Sequence, residues 1–121
     1  MGSPEAYVER YLVRRAEQAG IMVRKLEFPG SSGAPDRILM HNGLCVFVEC
    51  KRTRKGRLSA LQHVTIARIR AQGLPCVVAD SREDADRIVA WMQGHRAPAP
   101  EKASAGQTRE EAPSGAPEGA S

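Results

Sequence analysis

Apolar and polar residues alternate with the period of a helix at the start of the chain. Between residues 4 and 19 apolar side chains recur every three or four positions, which is the period of one face of a helix. That apolar stripe consists of Val8, Leu12, Ala16 and Ala19. Ser3 can cap the helix, Pro4 suits its first position and Gly20 suits its end. The pattern therefore predicts a helix over residues 4–19.

The rest of the pattern predicts three strands, a helix, a strand and a final helix. The predicted elements are a strand over residues 21–28, a hairpin around residues 42–43, a helix over 59–72, a strand over 75–79 and a helix from Asp80 or Ser81 to about Met92. Ser59-x-x-Gln62 predicts a capping box at the start of the second helix. We expect His63 to be exposed, and Trp91 to complete the core or to lie at a dimer contact.

The hairpin is the most informative stretch. Asn42-Gly43 lies between two apolar runs, and a type I′ turn needs positive φ at both of these positions. With these two residues as the loop, paired positions add up to 85, so that Asp36 faces Glu49 on one side of the sheet. Lys51 lies two residues beyond Glu49, and strand alternation places it on the same side.

Two carboxylates that face each other have a chemical implication. Like charges in directly opposed positions destabilise a sheet, and a divalent cation offsets their repulsion. Mg²⁺ prefers oxygen ligands such as carboxylates, and an ammonium group can stabilise negative charge on a phosphate. One interpretation is metal-assisted hydrolysis of a phosphodiester. The alternative is a solvated strand end without chemistry.

These residues also carry a family resemblance. Pro35-Asp36 followed by Glu49-Cys50-Lys51 resembles the PD-(D/E)XK nuclease motif. The longer string resembles the virus-type replication-repair (VRR-NUC) nucleases and is similar to archaeal Holliday-junction resolvases, over about residues 5–90. Its members are Pro29-Gly30, Gly33 to Arg37, Phe47 to Lys51 and Ser59-x-x-Gln62. The resemblance implies a restriction-endonuclease-like α/β fold, with a mixed central sheet flanked by helices in the order α-β-β-β-α-β-α.

The resemblance also implies a metal site. Asp36, Glu49 and Glu9 would hold Mg²⁺ or Mn²⁺, and the backbone carbonyl of Cys50 would complete the shell. The family more often has an aliphatic residue at the position of Cys50. Lys51 would orient or activate the attacking water. Besides the role of Gln62 as a cap, the resemblance implies that this residue lies near the site.

The first helix offers two candidates for the third acid. Glu5 and Glu9 both project within about 60° of the centre of the apolar stripe. One interpretation is a half-exposed acid paired with Arg14 or Arg15, or a first-turn acid favoured by the helix dipole. The other is a ligand that reaches the hairpin. Related resolvases carry such a glutamate about three turns before the helix-ending glycine, so Glu9 is preferred and Glu5 is the rival.

Positive charge is concentrated in the first 96 residues. They carry 16 Lys and Arg against 10 Asp and Glu, a net charge of +6, whereas residues 97–121 carry a net charge of −2. The densest run is residues 51–57, just after the proposed site. Its candidate phosphate contacts are Arg52, Arg54, Lys55 and Arg57. The alternative is a solvated loop. A basic domain suits a nucleic-acid partner.

Other features limit the class of protein. The sequence contains no run of about 18 apolar residues, so it predicts no transmembrane helix, and no secretory signal is visible. Cys45, Cys50 and Cys76 lack zinc-ligand spacing and are expected to be reduced core residues of a cytoplasmic protein, in a bacterium or a phage-infected host. We expect one domain over residues 1–96 and a disordered tail rich in Ala, Pro, Gly, Ser and Glu over residues 97–121.

Together these expectations describe a metal-dependent, structure-selective endonuclease. By resemblance it would cut branched DNA, such as Holliday junctions, and would work as a homodimer. The alternatives are a nucleic-acid-binding module that keeps the fold without cutting, a monomeric nickase acting on flaps or ends, and a nuclease acting on RNA. Intact Asp36, Glu49 and Lys51 argue against the non-catalytic module, because binding alone needs no opposed carboxylates.

Overall fold

One mixed four-stranded sheet forms the centre of the fold. The computed structural model describes residues 4–51 and 57–98 of the chain, with side chains from residue 6. The elements are α1 (Pro4–Gln18), β1 (Met22–Lys25), β2 (Arg37–His41), β3 (Leu44–Cys50), α2 (Ala60–Ala71), β4 (Cys76–Ala79) and α3 (Arg82–Gly94). The strand order is β1-β2-β3-β4, antiparallel except for the parallel pair β3–β4. This arrangement confirms the predicted α/β class and element order.

Helices α1 and α3 pack on each other and cover one face of the sheet. The core cluster combines the stripes of both helices with alternate residues of the strands. Its members include Val8, Leu12, Ala16, Leu39, Val46, Val48, Ala85, Val89 and Met92. Helix α2 lies outside this cluster, and Ile66 is its one fully buried residue. The predicted stripes of the first and last helices are therefore confirmed, whereas α2 contributes little to the core.

The hairpin has the predicted register. Its pairs run from Arg37 with Val48 to His41 with Leu44, and every pair adds up to 85. The turn residues Asn42 and Gly43 have φ values of 53° and 80°, as a type I′ turn requires. The turn residues therefore fix which side chains of β3 share a face with those of β2.

The first strand is shorter than predicted. It was expected over residues 21–28 but ends at Lys25, because its partner β2 begins only at Arg37. One further bond, from the amide of Leu26 to the carbonyl of Asp36 at 3.1 Å, closes the ladder, and the chain then turns at Phe28. The segment between the two strands, residues 26–36, is therefore a loop beside β2.

The remaining helix ends follow local capping chemistry. The predicted capping box of α2 is present, and Ser81, the second of the two predicted candidates, is the N-cap of α3. His63 is exposed, as predicted. Trp91 is 42% exposed and stacks on His95 with ring centroids 4.5 Å apart, so the expectation that it completes the core is wrong.

The cysteines and the chain end complete the description. All three cysteines in the described segments are free thiols; Cys50 and Cys76 are buried, and Cys45 is half-buried. The predicted disordered tail lies outside the described residues from residue 99 onward. Just before it, the amide of Ala97 donates to the carbonyl of Asn42 at 3.1 Å. No helix within the described segments is both long and apolar enough to cross a membrane.

Candidate active site

A cleft of about 300 Å³ lies where β3 ends. Its lining comes from α1, the residue before β2, the end of β3 and the first turn of α2, and consists of Ala6, Glu9, Asp36, Glu49, Cys50, Lys51 and Gln62. Six residues predicted from the sequence are thus brought together. Arg57 is exposed and is absent from this lining. Arg52, Arg54 and Lys55 lie outside the described residues, as does the side chain of Glu5.

Asp36 enters the cleft directly before β2. Continuing the register from the pair Arg37–Val48 places Asp36 opposite Glu49, and the amide of Cys50 donates to Asp36 Oδ2 at 2.8 Å. Burial raises the pKa of the Asp36 carboxyl. The hydrogen bond from Cys50 counters that rise, and the negative charge of Glu9 adds to it. When Asp36 ionises, its carboxylate is therefore partly desolvated and close to the negative charge of Glu9, which Lys25 and Lys51 partly offset.

Glu49 is the buried acid of the site, with only 3% of its surface exposed. Gln62 Nε2 donates to Glu49 Oε2 at 2.7 Å, and Lys51 Nζ lies 3.4 Å from the same oxygen. The side chain of Lys51 is itself only 13% exposed. The predicted placement of Lys51 beside Glu49 on one face is thus confirmed, and the pair is shielded from solvent.

Gln62 serves the helix and the site at once. Its Oε1 accepts from the amide of Ser59 at 2.9 Å, while its own amide donates to Ser59 Oγ at 3.1 Å. Its side-chain nitrogen, Nε2, donates to Glu49 Oε2. Gln62 therefore completes the predicted capping box, and it also lies near the candidate site, as the resemblance implied.

Glu9 is held by two cations from the sheet. Arg37 Nε lies 2.7 Å and Lys25 Nζ 3.0 Å from the same oxygen, Glu9 Oε2. Burial opposes ionisation of Glu9, but the hydrogen bonds from Lys25 and Arg37 outweigh it and lower the pKa. The suggested pairing with an arginine of its own helix is wrong for Glu9; Arg15 instead contacts Asp86 at 3.2 Å.

Negative charge converges on Cys50. Burial raises the pKa of its thiol most, and the charges of Asp36, Glu9 and Glu49 raise it further. The thiol is therefore kept protonated and is a poor metal ligand. Within residues 6–51 and 57–98, no three His, Cys, Asp or Glu side chains are gathered as closely as a preformed metal site requires.

Comparison with known proteins identifies the family. A solved structure described as a VRR_NUC domain matches with a TM-score of 0.69 and 31% sequence identity, over 74% of this chain and 97% of that one. A protein named "Putative nuclease p44", from Acyrthosiphon pisum secondary endosymbiont phage 1, is 34% identical over 80 residues, which are 65% of this chain and 85% of that protein. The chain belongs to the VRR-NUC nuclease family. No protein-family model matches it.

Membership of the VRR-NUC family confirms the resemblance read from the sequence, but not every contact in the cleft was foreseen. Lys25 and Arg37 were not predicted as partners of Glu9. In β1–β2 these two cations are directly opposite each other, an arrangement that is unfavourable unless an acid lies between them. The same reasoning that singled out the opposed acids could have found this pair, had the pairing of β1 with β2 been known.

A second cleft of the VRR-NUC chain adjoins the first. It has a volume of about 410 Å³ and is formed by residues 25–32 together with Ala34 and Asp36. Asp36 belongs to both clefts. The Gly- and Ser-rich segment after Phe28 thus lies beside the candidate site.

Proposed function

We propose that this VRR-NUC protein is a Mg²⁺- or Mn²⁺-dependent endonuclease that hydrolyses phosphodiester bonds in branched DNA. The observation that carries the proposal is the convergence of Glu9, Asp36, Glu49 and Lys51 on one cleft. Three of these are acids and one is a cation, which is the set that metal-assisted hydrolysis of a phosphodiester needs.

The chemistry of the donors fits a hard divalent cation. Asp36, Glu49 and the carbonyl of Cys50 would hold it with oxygen atoms. Glu9 would be a further ligand only after moving closer, because the three acids are not gathered as a preformed site requires. The charge of Glu9 already contributes to the raised pKa of the Asp36 carboxyl, so a cation would relieve repulsion in the cleft. When bound, the ion would polarise the phosphodiester and make water a stronger nucleophile.

The protein side chains have separate tasks in this proposal. Gln62 holds Glu49 Oε2 at 2.7 Å and fixes the direction of that carboxylate. Lys51, shielded from solvent and 3.4 Å from the same oxygen, orients the attacking water or stabilises charge on the phosphate. Glu9 lines the cleft and is held in place by Arg37 and Lys25.

Charge supports a nucleic-acid substrate. The net charge of +6 over residues 1–96 and the basic run after Lys51 favour phosphate contacts, and exposed Arg57 is one of them. The preference for branched DNA and the homodimer follow from the similarity to junction resolvases. Resolving a four-way junction takes two cuts, and two-fold symmetry supplies two sites related as the arms of the junction are.

Cleavage assays test the active site. Labelled duplex, flap and four-way junction DNA are incubated with the protein and Mg²⁺, Mn²⁺ or EDTA. Asp36→Ala, Glu49→Ala and Lys51→Ala are each expected to abolish cleavage while DNA binding persists. Glu17→Ala, which removes an exposed acid from the far end of α1, is the matched control and keeps full activity. If purified Asp36→Ala protein cuts DNA at the wild-type rate, the assignment of this site is wrong.

The helical ligand is tested separately. We expect Glu9→Gln to raise the Mn²⁺ concentration needed for half-maximal cleavage more than Glu5→Gln does, because Glu9 lines the cleft. If Glu5→Gln raises that Mn²⁺ concentration more than Glu9→Gln does, Glu5 and not Glu9 is the third ligand.

The assembly and the substrate are tested together. Light scattering at micromolar concentration is expected to give the mass of a dimer, and a mobile four-way junction is expected to receive two symmetric cuts. A monomer that makes one unpaired nick would support the alternative of a flap or end nickase. Equal cleavage of matched RNA substrates would contradict the assignment of DNA, and binding without cleavage under all metal conditions would support a non-catalytic module.

A further inference from the structure

Helix α2 leaves an apolar face open beside the candidate site. Residues 61, 64, 65, 68, 69 and 72 recur at helical spacing and line a groove of about 550 Å³, which we call the α2 groove. Phe28 and Ser31 form its opposite wall. Leu61 is 42% and Val64 47% exposed, although both are large apolar residues. Adjacent apolar side chains that line one groove indicate a contact surface more strongly than scattered ones do.

The charge around the α2 groove selects the kind of partner. Helix α2 contains Arg68 and Arg70 but no Asp or Glu, and Arg68 lines the groove. A second copy of the chain docked here by two-fold symmetry would bring the same cationic surface against itself. A polyanion is favoured instead. A groove that combines apolar walls with a cation matches a nucleic-acid strand, which has flat apolar base faces beside phosphates.

The α2 groove is linked to the cleft that holds the acids through the second cleft, which shares residues with both. Leu61, in the groove, is followed directly by Gln62, which contacts Glu49. On the opposite wall, Phe28 and Ser31 also line the second cleft, which contains Asp36. Arg68 lies six positions after Gln62, or about 9 Å along a helix, which corresponds to two or three base steps of B-DNA. A strand cut in the cleft could therefore continue along the groove.

Close packing fixes the two walls of the α2 groove. A Cβ atom at Gly33 would lie 2.7 Å from Leu61 Cγ and 2.8 Å from Thr65 Oγ1. The loop before β2 can therefore approach α2 this closely only because residue 33 has no side chain. As a result, the position of Leu61 in the groove is set by the same loop that ends at Asp36.

We propose that the α2 groove binds the nucleotides that flank the cut, with one base unstacked onto Leu61 and Val64 opposite Phe28 and a neighbouring phosphate on Arg68. The inference rests on the proposed nuclease function and adds a source of substrate choice. Apolar side chains inserted at a base step unstack it, and this costs least where the base is already unpaired or mismatched. The groove thereby favours substrates with an unpaired base beside the cleavage position.

The apolar part of the proposal is tested with 2-aminopurine, a base whose fluorescence rises when it is unstacked. The probe is placed beside the cleavage position in two otherwise identical DNA duplexes, one fully paired and one unpaired at that base. Wild-type protein is expected to increase the fluorescence on binding. The double variant Leu61→Ser/Val64→Ser is expected to lose this increase and at least tenfold of kcat/KM on the unpaired substrate, with an unchanged metal requirement.

A matched apolar control lies at the other end of the sheet. Met22 is 48% exposed and pairs with Met40 near the hairpin turn, so Met22→Ser changes an equally exposed apolar residue away from the cleft. It is expected to keep both the fluorescence increase and the cleavage rate. Circular dichroism before the assays verifies that all variants are folded.

The cationic part is tested through the salt dependence of binding. Arg68→Ala is expected to reduce the slope of log K against log salt concentration by about 0.9, the value for one phosphate contact. Arg96→Ala removes the same charge beside Ala97, which contacts the hairpin turn, and is expected to leave the slope unchanged. Equal slopes for the Arg68→Ala variant and wild type would contradict the phosphate contact.

The outcomes separate this inference from the proposed function. If wild-type protein cuts no nucleic acid with any metal, the proposed function is wrong. The fluorescence of 2-aminopurine at the unpaired position of the DNA, measured on binding, then still decides whether the α2 groove unstacks a base. If wild type cuts and the double variant behaves identically in both assays, the inference is wrong and the function remains. If the double variant instead changes from dimer to monomer with unaltered 2-aminopurine fluorescence, the groove joins two copies and the inference is overturned.

Discussion

Replacing Gln62 by alanine is expected to cost more stability than the loss of a helix cap explains. The side chain accepts a hydrogen bond from the exposed amide of Ser59 and donates one to buried Glu49. An ordinary hydrogen bond contributes a net free energy of about 0.5–1.5 kcal/mol, and one to a charged group about 1.5–3 kcal/mol. Because both are lost, the free energy of unfolding is expected to fall by about 2–4.5 kcal/mol.

Ser59→Ala provides the scale for this comparison. It removes the Oγ acceptor of the cap without touching Glu49, and the loss of such a cap costs about 1 kcal/mol. For a domain of this size each kcal/mol lowers Tm by about 4–8 °C. Urea unfolding followed by circular dichroism is expected to rank Gln62→Ala well below Ser59→Ala.

Gln62→Glu separates the two functions of the side chain. Glutamate completes a capping box as well as glutamine does, so the contact with Ser59 is preserved. It also replaces the amide donor by a second carboxylate against Glu49. We expect this variant to be at least as unstable as Gln62→Ala. The reasoning is refuted if Gln62→Glu matches wild type, or if Gln62→Ala loses no more stability than Ser59→Ala.

Four further predictions concern the acids, the loop and the chain end. The raised pKa of Asp36 means that its ionisation weakens the fold, so the stability gain of Asp36→Asn is expected to grow as pH rises through that pKa. Mg²⁺ or Mn²⁺ at 100 times its Kd is expected to raise the free energy of unfolding by about 2.7 kcal/mol. Gly33→Ala is expected to destabilise the fold by about 1–3 kcal/mol, because its methyl group would overlap Leu61. A chain ending at residue 96 is expected to lose about 1 kcal/mol relative to one ending at residue 98, through the bond from Ala97 to Asn42.

Each of these predictions has a contrary result. A stability gain of Asp36→Asn that is constant from pH 3 to pH 8 would contradict the pKa argument, and a metal-independent Tm would exclude a metal site in the folded protein. Glu17→Ala controls for the loss of an exposed acid. Gly94→Ala, whose Cβ would meet nothing within 4 Å, controls for the extra methyl group. Equal stabilities of the two truncated chains would show that Ala97 contributes nothing.

Local chemistry made much of the fold predictable. The Asn42-Gly43 turn and the alternation of side chains fix the hairpin register within a few residues of chain, and the structure confirms the pairs from Arg37–Val48 to His41–Leu44. The caps at Ser59 and Ser81 are equally local. The length of β1 was not predictable in this way, because it depends on where β2 begins, twelve positions further along the chain.

In the candidate site, too, contacts between residues close in sequence were predictable and contacts between distant residues were not. The contact between Lys51 and Glu49 follows from strand alternation, whereas the contacts of Glu9 with Lys25 and Arg37 join residues that are 16 and 28 positions apart. Sequence reasoning considered only arginines one or two turns away on the same helix. The exposure of Trp91 was equally hidden, because its helical spacing does not reveal that Met92 and Val89 already fill the core.

The two-residue turn of the hairpin also limits how this nuclease can evolve. Each residue added to or removed from that turn shifts the pairing of the two strands, and a shift by one position transfers a whole set of side chains to the opposite face. A single insertion there would turn Glu49 away from Asp36 while leaving both residues in the chain. We therefore expect changes in length among descendants of this protein to avoid the turn and to accumulate where the alternation of β2 and β3 is unaffected.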